Sequence, residues 1–481
     1  MKTQPLQHII RRLLPLGAAG ACVLSALVAQ RAAGAVLYFD PNGPSPVTAG
    51  TYTWDTVTAE WSTSSALTGS LVAWNSADAA NFCAGSFTGN ITVDVNSAIN
   101  VAGIFDGNLT PPGCNVTIAG SGSLNFASGA QALGAGGSDG NSVTLLIPVT
   151  GGTGTQMESE EDGVNVLNLD AGNPSLGPLI LGPNSNGTQP SGQGGGPGGV
   201  SFNNNTAFGV GNISSTSATA TRQIFTTASG PLTLANGFTL WNGVLSLGGS
   251  STSPVIFTGN TTLPGSGNTA TLSVFNTPGN TGASYTFSGV LSGAGNLTLS
   301  GTTQTSAANG PGTLILSGAN TYTGTTTITT GGTLQLGAAN TIATSSSVIL
   351  AGGTLNGGGF THANSGTLGL TANSTLDFGG GTMSFANSST LTWSGILNLA
   401  DWTGTGSGDF GSQLEIGTSA SGLTSAQLAV IEFDGNASTL GDAAIDPNGW
   451  IYMIPIPEPS TLVLSFLGGL GILWTIRRRK V

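Results

Sequence analysis

The sequence predicts an all-β chain wound into a solenoid of stacked coils, with a β module capping its N-terminal end and one C-terminal transmembrane helix. Three observations lead there. The 481 residues include 78 glycines and only 6% charged residues, against roughly 25% in ordinary soluble domains. Short Gly-Thr-Leu units recur through the second half at near-constant spacing. Each unit alternates apolar and polar residues, the pattern of a half-buried strand.

The same composition removes other classes. A helical bundle needs Glu, Lys and Arg, which are scarce here. Collagen needs glycine at every third position, and no such period exists. A hydrophobic fraction of 38% and a mean hydropathy of +0.21 argue against charge-driven disorder.

Taken in chain order, residues 1–35 read as a signal peptide. Lys2, Arg11 and Arg12 form a positive start, and Leu13 to Ala29 is mostly apolar but broken by Pro15. Ala33-Gly34-Ala35 supplies small residues for cleavage before Val36. Export through the Sec translocon is the consequence, and an uncleaved anchor is the alternative.

Residues 36–135 form the N-terminal β module, with Ile91-Thr92-Val93-Asp94-Val95 as a clear strand. Trp54, Trp61 and Trp74 are expected in its core; an exposed sugar-stacking surface is the alternative. Cys83 and Cys114 are the candidates for a disulfide in an exported chain, with two buried thiols as the alternative. Residues 136–205 are rich in Gly, Pro and Asn and read as irregular, with a loop at 183–200.

The solenoid is placed at 206–360. Leu314, Leu334, Leu355, Leu376 and Leu397 follow one another at 20, 21, 21 and 21 residues. A constant period with one strong strand per repeat suits stacked coils, in which these leucines form one interior column. Ile315, Gln335, Asn356, Asp377 and Asn398 then face outward. An antiparallel sandwich explains the alternation but not the period. Residues 361–455 form a C-terminal β segment, with a short helix in Leu423 to Ile431 capped by Thr424 or Ser425, and a strand starting at Glu432-Phe433.

The tail, 456–481, has three parts. Pro457, Glu458 and Pro459 precede an apolar run, 460–476, that is a minimal membrane span. Arg477, Arg478, Arg479 and Lys480 then form a positive stop. This order closely resembles the PEP-CTERM sorting signal of Gram-negative bacteria. The resemblance implies an exosortase-type membrane protease or transpeptidase as partner, transient residence in the inner membrane, and processing at the Pro-Glu-Pro motif. A second resemblance lies at Gly312-Thr313-Leu314-Ile315-Leu316-Ser317-Gly318-Ala319-Asn320-Thr321-Tyr322-Thr323-Gly324. This stretch, core 311–337, is similar to the autotransporter-associated β-strand repeat. That family implies a right-handed parallel β-helix displayed at a bacterial surface. Residues 36–135 resemble, more weakly, the leader module that precedes such repeats.

Charge narrows the function. Between residues 36 and 455 there is one cation, Arg222, against 20 acids, a formal charge of −19 with His362 neutral. Such a body has no basic surface for phosphates, so nucleic acid is excluded as a partner. Catalysis is not expected. Gly136-Gly137-Ser138-Asp139-Gly140 fits Gly-x-Ser-x-Gly formally, but with so many glycines the match carries little, and His362 is the sole base available. Asp401 with Asp409, and Glu432 with Asp434, are the candidate carboxylate pairs for glycoside hydrolysis. Calcium would find oxygen at Glu158, Glu160, Glu161 and Asp162, and in the turns Asp40-Pro41-Asn42-Gly43 and Asp446-Pro447-Asn448-Gly449. Solvated acids are favoured over either reading, and no metal or cofactor is expected. The function expected is that of a non-catalytic, exported surface or matrix protein associated with extracellular polysaccharide. The alternatives are a β-helix polysaccharide lyase or glycoside hydrolase, and an adhesin for glycan or protein.

Overall fold

The computed structural model describes residues 35–454, apart from 44–46, 77, 83, 85–88, 109–113, 127–131, 138–141, 153–154, 160–165, 174–175, 182–198, 216–220, 278, 302–309 and 404–412. The fold is all-β, built of long sheets of parallel strands in the manner of a solenoid. One 15-stranded sheet runs from Gly50–Thr53 to Leu414–Ile416, and each of its neighbouring pairs is parallel. At the usual strand spacing it extends about 65–70 Å. Successive coils return to this sheet from two others. A nine-stranded sheet serves the first half, up to Ser214–Ser215; another serves the second, from Leu232–Leu234 to Ile431–Phe433.

The long sheet therefore passes through 136, 206 and 361 without interruption. The stretch expected to be irregular, 136–205, contains the paired strands Ser142–Leu145, Val149–Gly151, Thr155–Ser159, Val166–Leu169, Leu179–Leu181 and Gly199–Phe202. Its turn-rich composition belongs to the connections between strands.

The leucine column exists, with one correction. Leu314, Leu334, Leu355 and Leu376 stand in direct parallel register. The next member is Leu399, not Leu397, which pairs with Ser374. Both side chains are fully buried, so the 21-residue spacing selected the wrong one of two inward residues. The column also reaches further than the repeat: Leu232, Val255 and Tyr285 precede it and Phe433 follows. Each member is at most 6% exposed. Leu297 lies on the long sheet, opposite Ala270 and Thr326.

Glycine makes this stacking possible at one corner. Gly237, Gly259, Gly289 and Gly318 lie one above another. A β-carbon on Gly289 would collide with the carbonyl of Gly259, and one on Gly318 with that of Gly289. Asparagine supplies the other corners. Asn320 Oδ1 accepts from the Leu291 N–H at 2.7 Å, and its Nδ2 donates to the Thr341 carbonyl at 2.6 Å. One side chain thus bridges the coil before and the coil after, satisfying backbone groups that the turn leaves without a ladder partner. Asn260, Asn296 and Asn373 accept backbone N–H groups of Val290, Thr325 and Ile396 in the same way.

Both ends are closed by antiparallel structure. At the N-terminal end, Val36–Phe39 pairs with Ala59–Ser62, which pairs with Leu71–Ala73. Beneath them Trp54, Trp61 and Trp74 sit with ring centroids 4.7–5.0 Å apart, packed on Phe39 and Phe82. The tryptophans are core, as expected. At the C-terminal end the helix is a single turn, Ser425–Leu428, with Thr424 and Gln427 forming a reciprocal capping box. Ile431–Phe433 completes its sheet, and a hairpin, Ala443–Ile445 with Ile451–Met453, covers the last strand of the long sheet.

Candidate functional site

The two ends of the described chain frame the sites read from the sequence. Val36 is the first residue of the first strand. Just before it, the Ala35 N–H donates to Asp78 Oδ1 at 2.9 Å. At the other end the Ile454 N–H donates to the Asp442 carbonyl at 2.6 Å, so the chain leaves directly from the closing hairpin. Ala33, Pro457, Glu458, Pro459, Arg477, Arg478, Arg479 and Lys480 lie outside the described residues. Among the described residues no helix is long and apolar enough to cross a membrane; the expected span, 460–476, lies outside them. Cys114 is fully buried and disulfide-bonded. Cys22 and Cys83 lie outside the described residues.

Of the residues weighed for chemistry, His362, Arg222, Asp434 and Asp446 are engaged in holding the fold. His362 is buried; its Nδ1 accepts from the Asn340 N–H at 3.1 Å and its Nε2 donates to the Gly357 carbonyl at 2.9 Å. These two bonds fix the neutral tautomer, and burial holds the imidazole pKa below the ordinary value. Protonating Nδ1 would break the bond to Asn340. The folded pKa is depressed, so this group's stabilisation is complete above about pH 6.5 and is lost as pH falls below it. Denaturation midpoints are expected to drop between pH 7 and pH 5.5 by more in the native protein than in His362→Gln. Equal drops would contradict this role.

Arg222 is fully buried on the inward face of Thr221–Thr226, with Nη1 donating to the Thr221 carbonyl at 2.8 Å. Asp434 Oδ1 accepts from the Trp402 N–H at 3.0 Å, and Asp446 Oδ1 accepts from Asn448 and Trp450 N–H groups at 2.8 Å. These carboxylates brace turns. Asp40 is fully buried, its carboxylate has no hydrogen-bond partner among the described residues, and desolvation pushes its pKa up. Among the described residues no three His, Cys, Asp or Glu side chains converge as a metal site. Asp409, Ser138, Glu160, Glu161 and Asp162 lie outside the described residues.

A feature the sequence reading missed is a set of polar ladders on the outer wall of the first coils. Asn115 Nδ2 donates to Asn90 Oδ1 at 2.9 Å, and Ser142 Oγ donates to Asn115 Oδ1 at 2.8 Å. On the adjoining three-stranded sheet, Asn125 Nδ2 donates to Asn100 Oδ1 and Thr150 Oγ1 to Asn125 Oδ1. Asn168 and Thr144 make a third row. The clue lay in the alternation Asn-x-Thr-x of 90–93 and 115–118, but the rungs recur at 25, 27 or 24 residues, too irregular to stand out as a period. The wall offers rows of amides and hydroxyls at strand spacing, with no cation among them.

Residues 308–336, the coil built on Gly318, Asn320 and Tyr322, match the passenger-associated-transport-repeat. Residues 455–479 match the PEP-CTERM protein-sorting motif. The chain carries a PEP-CTERM sorting signal. That signal indicates an exported surface protein sorted by an exosortase, and it begins one residue after the last described residue of the folded body. No curated protein and no solved structure matches the chain.

The repeat match also has a physical reading. Tyr322 is fully buried, its hydroxyl bonded to Thr326 Oγ1 at 2.7 Å; Thr326 in turn meets Ser346 Oγ at 3.1 Å. Together with Asn320 and Gly318, this network sets the corner at which one coil seats on the next.

Proposed function

We propose that this protein is a non-catalytic, rigid spacer of the bacterial surface or extracellular matrix, delivered as a membrane-anchored precursor and trimmed at both ends. Export would use the Sec translocon, with signal cleavage before Val36. The right-handed coils would fold outside the inner membrane while Ser460 to Ile476 spans it and Arg477 to Lys480 stays cytoplasmic. An exosortase-type enzyme would then act at Pro457-Glu458-Pro459. The observation that carries this reading is the sorting motif placed directly behind a closed, elongated β body.

Extracellular polysaccharide of a biofilm is the partner that best fits the wall chemistry. Rows of Asn, Ser and Thr offer donors and acceptors to sugar hydroxyls, whereas the negative body disfavours acidic polymers. The same ladders support a second reading, a glycan-binding adhesin. Cys83 and Cys114 pair in this account. Catalysis is not part of it: His362 and Arg222 are buried, and Asp434 and Asp446 brace turns. Incubating the purified protein with neutral and anionic bacterial polysaccharides, with and without Ca²⁺, is expected to yield binding to neutral polymers and no new reducing ends or unsaturated products. Turnover abolished by a single Asp or Glu substitution would overturn the proposal.

A further inference from the structure

Asp78 is a buried carboxylate whose donor belongs to the segment that processing removes. It is 7% exposed, and its Oδ1 accepts from the backbone N–H of Ala35. Ala35 is the last residue before the expected cut. Val36 follows as the first residue of its strand, in parallel register with Ala79, the neighbour of Asp78. The Val36 nitrogen is therefore about one residue's rise, ~3.5 Å, from the Ala35 nitrogen that Asp78 now holds.

Signal cleavage adds water across the Ala35–Val36 peptide bond. Ala35 leaves with a carboxylate, and Val36 takes up the proton on its amine. One event thus removes the donor from Asp78 and creates a cation beside it. No other cation competes: the sequence has no Lys, Arg or His between Val36 and Arg222. The titratable groups on the packed strands are Tyr38 and Asp40, on and just beyond the Val36 strand, Glu60, on the antiparallel neighbour Ala59–Ser62, and Asp106, in register with Phe82 at the far end of Ala79–Phe82. None is a cation.

The geometry points to Asp78 as the binding site for the amino terminus that signal removal releases, an ion pair between the Val36 α-ammonium and a buried carboxylate. It rests on cleavage before Val36. In the precursor the carboxylate accepts from a neutral amide; in the processed chain it faces a cationic donor, so that a Coulombic attraction is added to the hydrogen bond. The strand it secures carries Leu37 and Phe39 into the N-terminal aromatic cap. The cap is thereby fastened fully only after export.

The sequence makes the test clean, because Val36 to Arg479 contains no lysine. In the exported protein with its tail removed, the α-amine is the sole amine open to an amine-reactive reagent. Mass spectrometry first reads the terminus. The pH dependence of labelling then gives the α-amine pKa, expected at least one unit above its ordinary value of about 8, so that labelling at pH 8 is several-fold slower than in Asp78→Asn. A group with a raised pKa stabilises below its unfolded value and loses that effect as pH rises through the folded value. The denaturation midpoint should therefore fall above pH 8 in the native protein and not in Asp78→Asn. It should not fall in the cleavage-blocked Ala33→Leu chain either. An ordinary α-amine pKa in protein whose mass begins at Val36 would overturn the ion pair. A mass beginning elsewhere would overturn the cleavage reading, and the ion pair with it.

Discussion

Leu334→Ala is expected to lower stability by about 2–5 kcal/mol, the range for deleting a fully buried leucine side chain from a core that relaxes only partly. Leu334 lies mid-column, fully buried, with Leu314 and Leu355 in register on either side. Truncation opens a void that both neighbouring coils share, and glycine-set stacking leaves little room for those coils to close in. Leu399→Ala should behave alike, since Leu399 and not a residue 21 positions after Leu376 continues the column. Gln335→Ala, on the outer face of the same strand, is the control and should stay within about 0.5 kcal/mol. Urea denaturation of the three variants decides the matter. A Leu334→Ala cost below about 1 kcal/mol would mean that the column is not a shared core.

Glu458→Ala is expected to move nearly all of the protein from the surface or medium into the inner-membrane fraction. The charged residue lies between two prolines, just before the apolar run, in the segment matched by the sorting motif. Losing the carboxylate leaves the apolar run and its positive stop in place but removes the group that distinguishes a sorting substrate from a plain anchor. Fractionation followed by immunoblotting reads the result. Equal release of native and variant protein would contradict processing at this motif.

How much of this was legible before the coordinates depended on how regular the coils are. From Leu314 to Leu376 the repeat length varies by only one residue, so strand, face and parallel register could all be read from leucine spacing. At Leu397 two inward residues flank one outward residue, and only hydrogen-bonded pairing selects Leu399. In the first half the same solenoid is present, but the connections vary, and rungs fall 24, 25, 27 or 33 residues apart. No constant period survives, so 36–135 read as a module and 136–205 as irregular. The buried tryptophans were predictable from size and hydrophobicity. Asp78 was not, because its meaning lies in a contact 43 residues away in sequence. Asn320 was visible as part of a motif, but not as a bridge between the coils on either side of it.

Intact-mass measurement of the protein recovered from the cell surface or medium of a host with an exosortase-type system tests most directly whether this β-solenoid is trimmed at both ends. The account predicts a chain that begins at Val36 and ends at or near the Pro-Glu-Pro segment, without Arg477, Arg478, Arg479 and Lys480. Surface-exposed protein that retains those four residues would contradict it.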